Sequence, residues 1–191
     1  MKYHYSQTDT YSKRARKENY PARSIYKLQE INQKYKIIKT GDWVLDLGCA
    51  PGSWLVYLSR TVDYSGKVVG VDTNDLKIEL PQNVFFIKED IMKFETKDKF
   101  NVVVSDLAAH TTGVEFSDIE NTLELCYRAL EIAKKVLIIG GNFLCKVFEG
   151  EGTSDFFKEV KKSFEFTKRF KPKASRKQSR EMYVIGIRFR E

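Results

Sequence analysis

A chain of 191 residues with 42% hydrophobic side chains is long enough to fill one sizeable core, which excludes disorder over most of its length. Its 33 Lys+Arg against 26 Asp+Glu leave a net charge of +7, and that charge is unevenly spread. Residues 1–40 carry ten Lys/Arg and three Asp/Glu, residues 41–157 carry eleven and nineteen, and residues 158–191 carry twelve and four, so an acidic middle lies between two basic ends.

Residues 1–20 mix Tyr3, Tyr5, Tyr11 and Tyr20 with Lys13, Arg14, Arg16 and Lys17 without an apolar period, and are expected to form a flexible basic arm ahead of one domain over 21–191. From Pro21, which suits a first helical turn, Ile25, Leu28, Ile31 and Tyr35 recur every three or four residues. That spacing predicts a helix with one buried face, and Lys27 lies off its centre. Short apolar, β-branched runs follow at Trp43–Leu47, Lys67–Val71, Val84–Ile87, Asn101–Ser105 and Val136–Ile139 leading into Phe143–Val147, and these read as strands. Trp54–Ser59 and Ile119–Lys135 between them read as helices. Alternation of strand and helix implies parallel strands with right-handed crossovers, an α/β architecture. Thr153 and Ser154 are good N-cap residues for a further helix carrying Phe156, Phe157 and Val160, and Met182–Phe189 is expected as the last strand.

Several classes fall away. The longest nearly apolar run, Val136–Cys145, is broken by Gly140, Gly141 and Asn142 and falls short of the roughly 18 residues that a membrane span needs. The first residues lack the apolar stretch of a secretory signal, so a cytoplasmic, membrane-free protein is expected, with a monomer as the default. Cys49, Cys126 and Cys145 are odd in number, lack CxxC spacing and sit among apolar neighbours, which predicts buried thiols rather than disulfides or a zinc site. With His4 and His110 as its two histidines, the chain is expected to hold no metal.

The strongest local signal is Val44-Leu45-Asp46-Leu47-Gly48-Cys49-Ala50-Pro51-Gly52-Ser53-Trp54, a strand that ends in a glycine-containing turn and opens a helix. Ligands of doubly wound sheets bind at the carboxyl ends of the strands, where glycine lets the backbone approach closely. The second strand ends at Gly70-Val71-Asp72, about twenty residues on, where a carboxylate can accept from both hydroxyls of a ribose. The third ends in Lys88-Glu89-Asp90 and the fourth in Ser105-Asp106. Any one of these aspartates is as readily a turn residue. With Asp46, they ring one crevice suited to a cofactor with a ribose, an amine and a positive centre, and the missing GxGxxG argues against a nicotinamide dinucleotide.

Asp46-Leu47-Gly48-Cys49-Ala50-Pro51-Gly52-Ser53-Trp54 resembles the DLG-x-APGG/S-W motif of the FtsJ/RrmJ family of S-adenosylmethionine-dependent RNA ribose 2′-O-methyltransferases. Arg23-Ser24-Ile25-Tyr26-Lys27-Leu28, Ser105-Asp106-Leu107-Ala108, Phe143-Leu144-Cys145-Lys146-Val147-Phe148 and Ser175-Arg176-Lys177-Gln178-Ser179-Arg180-Glu181-Met182-Tyr183 are similar to four further motifs of that family, in the same order. Ala109, followed by His110, stands where the family usually has proline. The resemblance implies a Rossmann-like fold: a mostly parallel seven-stranded sheet, helices on both faces and an antiparallel C-terminal strand. It also implies a catalytic tetrad of Lys27, Asp106, Lys146 and Glu181, and S-adenosylmethionine contacts from Gly52, Trp54, Asp72, Asp90 and Asp106, with Asp46 and Gly48 in the same turn.

The chemistry of the residues agrees with that implication. A ribose 2′-hydroxyl is a poor nucleophile, so methyl transfer to it needs in-line positioning and a proton acceptor beside the oxygen. Lys146, set in an apolar run, is the candidate base. Asp106 would orient it, Lys27 would hold the target ribose or phosphate, and Glu181 would fix the lysines. Arg14, Arg16, Lys17 and Arg23 from one basic end, and Lys173, Arg176 and Arg180 from the other, are expected to neutralise RNA phosphates. Family members of this size imply ribosomal RNA as the partner, with a uridine of the 23S-type large-subunit RNA as the target. Transfer RNA as the substrate, a silent RNA-binding assembly protein and an oxidoreductase are the weaker readings.

Overall fold

A computed structural model describes residues 10–108, 115–176 and 178–190, with side chains of 115–118 excepted; Ala109, His110 and Lys177 lie outside the described residues. The elements run α1 (Thr10–Lys17), α2 (Ile25–Tyr35), β1 (Trp43–Leu47), α3 (Ser53–Val62), β2 (Lys67–Asp72), β3 (Val84–Lys88), β4 (Phe100–Ser105), α4 (Glu115–Val136), β5 (Leu137–Phe148), α5 (Thr153–Ser163), β6 (Phe164–Phe170) and β7 (Glu181–Phe189). The seven strands form one sheet in the order β3-β2-β1-β4-β5-β7-β6. β7 alone runs opposite to the other six strands, as the family resemblance implies.

Successive residues of a strand point to opposite faces, and the valine-rich central strands therefore feed two cores. Val44, Val68 and Val102 pack with Leu28 and Ile31 of α2 and Leu55, Leu58 and Val62 of α3. Leu45, Val69 and Val103 pack with Leu130 and Ala133 of α4 and Phe156 and Val160 of α5 on the other face. Each fully buried aliphatic side chain contributes about 1.5–3 kcal/mol. The three cysteines are buried free thiols, as expected. No helix among the described residues is long and apolar enough to cross a membrane.

Four features differ from the sequence expectation. Residues 10–17 of the expected flexible arm are helix α1, which buries Ala15 against Ile25, Tyr26 and Ala174; residues 1–9 lie outside the described residues. Its last turn holds Arg14, Arg16 and Lys17, which complement the negative end of the helix dipole. β5 runs unbroken through Gly140-Gly141-Asn142, because a register shift between Phe100 and Val102 of β4 absorbs the irregularity at Gly140, whose φ is +82°. Gly152, not Thr153 or Ser154, occupies the cap of α5, and the Thr153 hydroxyl donates to the Phe148 carbonyl at 2.8 Å. β6 follows α5 directly, with no turn residue to announce it.

The register sets the carboxyl ends of the parallel strands level: Leu47 lies opposite Val71 and Ser105, Asp72 opposite Lys88, and Ser105 opposite Cys145. β7 enters this end of the sheet backwards, with Lys146 opposite Tyr183 and Phe148 opposite Glu181. Residues far apart in the chain thus converge at one edge of the fold.

Candidate active site

Two ion pairs stand at that edge. Lys146 Nζ donates to the Asp106 carbonyl at 2.6 Å and lies 3.3 Å from Asp106 Oδ1. Lys27 Nζ donates to Glu181 Oε2 at 2.6 Å. Both lysines are largely withdrawn from solvent, with side chains 9% and 12% exposed, and a carboxylate partner answers the cost of burying each ammonium. The structure therefore brings Lys27, Asp106, Lys146 and Glu181 together as two pairs. Among the described contacts Glu181 pairs with Lys27 and Asp106 with Lys146.

Two neighbours complete the arrangement. The Ser175 hydroxyl donates to Glu181 Oε1 at 2.8 Å, so each Glu181 oxygen has a partner. The Tyr183 hydroxyl donates to Asp106 Oδ1 at 2.8 Å. Burial, then the Asp106 charge, push the Tyr183 hydroxyl well above its ordinary pKa, so it stays a donor. Ser175 and Tyr183 stand inside a motif already singled out, but nothing in their spacing marks them as partners of Glu181 and Asp106. Only the turn that brings 172–175 beside β7 does so.

The glycine turn lies beside these pairs. Gly48 (φ +79°) and Gly52 (φ +109°) adopt backbone angles that L side chains rarely take. A Cβ on Gly52 would stand 2.7 Å from Ile78 Cδ1. Asp72 Oδ2 accepts from the Ala50 N–H at 2.9 Å, while Oδ1 accepts from the Asn74 N–H at 2.8 Å and from Asn74 Nδ2 at 3.0 Å, which braces the turn and leaves Oδ2 with a second acceptor site. Asp90 is exposed, and its Oδ1 accepts from the Met92 N–H at 3.0 Å. Trp54 is buried; its indole N–H donates to the Ser24 carbonyl at 3.0 Å, and its ring stands 6.1 Å from that of Tyr183.

Asp46 is wholly buried, and neither carboxylate oxygen has a hydrogen-bond partner among the described residues. Burial, then the charges of Asp106 and Asp72, hold its pKa well above the ordinary carboxylate range. A crevice with three interacting carboxyl groups, orphaned acceptors and two left-handed glycines fits a ligand that brings N–H or O–H donors and a positive centre. The residues present therefore suit S-adenosylmethionine.

The residues expected at the RNA are divided in placement. Arg14, Arg16 and Lys17 are exposed on α1, and Arg14 pairs with Glu18 at 2.7 Å. Lys173, Arg176 and Arg180 are exposed beside the entry to β7. Arg23 turns inward, donating to the Ala174 carbonyl, and so joins the start of α2 to the loop that carries Ser175.

Residues 20–189 match the model of the FtsJ-like methyltransferase family. The chain is 44% identical over 194 aligned positions to ribosomal RNA large subunit methyltransferase E of Desulfotalea psychrophila, covering 96% of each chain. It is 46% identical to the protein of the same name in Desulfatibacillum aliphaticivorans, with 93% of this chain and 89% of that one covered. A crystal structure from Plasmodium falciparum, provisionally named a ribosomal RNA methyltransferase, superimposes with a TM-score of 0.79 at 28% identity, covering 89% of this chain and 98% of that one. With a family match over nearly its whole length and relatives above 40% identity, this chain belongs to the FtsJ-like methyltransferase family.

Proposed function

We propose that this protein methylates a ribose 2′-hydroxyl of large-subunit ribosomal RNA, with S-adenosylmethionine as donor and a uridine as the target nucleotide. The observation that carries the reading is the paired Lys146–Asp106 and Lys27–Glu181 arrangement beside the glycine turn. The names of the relatives support ribosomal RNA as the substrate. Asp46, Gly48, Gly52, Asp72, Asp90 and Asp106 would hold the cofactor. When bound, S-adenosylmethionine supplies an electrophilic methyl group on a sulfonium.

The tetrad's part follows from its donors and acceptors. To act as a base the Lys146 ammonium first releases a proton to solvent, which leaves an amine with two N–H bonds and one lone pair. The Asp106 carbonyl takes one N–H bond and Asp106 Oδ1, 3.3 Å away, holds the amine from the same side, so the lone pair can turn towards the substrate. Lys146 then accepts the 2′-hydroxyl proton as the oxygen gains its bond to carbon, and the resulting ammonium is stabilised by the same carboxylate. Lys27, held by Glu181, has N–H bonds left to orient the target ribose or its phosphate. Asp106 and Glu181 work by fixing the two amines, which lowers the entropy lost on reaching the in-line geometry.

The test is Lys146→Ala, assayed with labelled S-adenosylmethionine on naked large-subunit RNA, isolated large subunits and transfer RNA, with the methylated ribose mapped. Methyl transfer should be abolished while cofactor binding, read by calorimetry, survives. Near-normal turnover sinks the base assignment, and label on transfer RNA alone overturns the substrate.

A further inference from the structure

A second concavity lies outside the tetrad, a groove of about 760 Å³ between the α1–α2 connection, the outer face of α3 and the segment after β2. Arg16, Arg60 and Lys77 line it with one acid, Glu79, and its walls include Tyr20 and Val56. None of the three cations pairs with a carboxylate among the described residues, in contrast to Arg14 with Glu18 or Lys134 with Glu159.

The groove is built rather than incidental. Arg60 Nη1 donates to the Tyr20 hydroxyl at 2.9 Å, and the guanidinium stands 5.5 Å from the Tyr20 ring centre, which fixes the direction of its other donors. The Lys77 N–H donates to the Pro51 carbonyl at 3.0 Å, tying one wall to the glycine turn. Tyr20 packs edge-on against Tyr26, with centroids 6.5 Å apart, and Tyr26 precedes Lys27. The groove is thus anchored at one wall to the α1–α2 connection through Tyr20 and at the other to the glycine turn through Lys77.

We infer that this groove is a phosphate-binding subsite for the single-stranded RNA flanking the target nucleotide, with Arg60 and Lys77 as contacts beside Arg16 and the Arg60–Tyr20 pair as a stacking platform. This rests on the reading of the protein as an RNA 2′-O-methyltransferase. A polyanion lying in the groove meets three cations with one acid among them, and guanidinium planes stack on unpaired bases as aromatic rings do. The groove has no ring of carboxylates of the kind that would bind the ribose of a free nucleotide, so the charge favours a backbone.

The experiment compares the full-length Arg60→Gln/Lys77→Gln double variant with a control pair, Lys161→Gln/Lys168→Gln, exposed on α5 and β6. Each is titrated with the large-subunit transcript between 50 and 200 mM salt. Losing two phosphate contacts should weaken binding about tenfold at the lower salt and reduce the slope of log K against log salt by about 1.4. KM for RNA should rise more than kcat falls, and the control pair should bind like wild type. Wild-type affinity and slope in the double variant overturn the inference, as does an equal loss in the control pair, which would make net charge the cause. Saturable binding of AMP alone, abolished in the double variant with RNA affinity intact, would reassign the groove to a small nucleotide. The binding arm is independent of methyl transfer: a wild type that binds the transcript yet transfers no methyl removes the activity assignment and leaves the groove.

Discussion

Asp46 places a carboxyl group where the fold gives it no partner among the described residues. The group is buried, and its raised pKa means that the folded state favours the protonated form. The sign follows from linkage: this group's contribution to stability is fully present below the ordinary carboxylate pKa of 3.8 and is lost as pH rises through the raised, folded value. Asp46→Asn, which stays neutral, should therefore melt above wild type at pH 7.5 without cofactor, with the gap narrowing towards pH 4.5. Each ~1 kcal/mol moves the midpoint of a chain this size by about 2–4 °C. The same variant should bind S-adenosylmethionine more weakly, and a pH-independent melting difference would refute the burial argument. Ser175 acts at the same scale through Glu181. Ser175→Ala should lower kcat about tenfold, because a hydrogen bond to a charged group contributes about 1.5–3 kcal/mol and its loss frees Glu181 to leave Lys27. Ser175→Thr keeps the hydroxyl and should recover most of the rate.

At the scale of elements, the weak point is α1, eight residues with Ala15 as their single buried side chain. A helix that short is stable only through packing. Ala15→Asp should release it, so that amide exchange over residues 10–17 accelerates while β1 and β4 keep their protection and the global stability changes by less than ~1 kcal/mol. Loss of protection throughout the sheet would show instead that α1 is integral to the core. The same weakness explains why α1 was illegible from the sequence: one buried alanine leaves no apolar period. β6 was illegible for a related reason. Glu165, Lys168 and Arg169 interrupt its apolar residues, as an edge strand permits, and no turn separates it from α5. The central strands were legible because burial on both faces demands continuous valine and leucine. The tetrad was legible as four residues in motifs, not as pairs. Lys27 and Glu181 stand 154 positions apart, and their contact depends on β7 entering the sheet backwards beside β5.

For the molecule as a whole, the net charge of +7 is the remainder of two opposed distributions. Part of the acidic middle is the group of Asp46, Asp72 and Asp106 at the strand ends, where the latter two charges act on Asp46. The basic ends place Arg14, Arg16 and Lys17 on α1 and Lys173, Arg176 and Arg180 beside the entry to β7, while Arg23 clasps the two segments together through Ala174. The two regions should respond differently to salt. Phosphate neutralisation releases condensed counterions, so RNA affinity falls as a power of salt concentration. A buried carboxyl cluster acting at short range on a cofactor is screened far less. Raising salt from 50 to 200 mM should therefore weaken RNA binding by about 300-fold if six or so phosphates of a single strand are neutralised, while S-adenosylmethionine affinity changes by less than about twofold. Parallel titrations of the two ligands decide the matter. If both affinities fell together, the separation of RNA capture at the ends from cofactor recognition between them would be wrong, and the charge asymmetry would have to be explained by the fold alone.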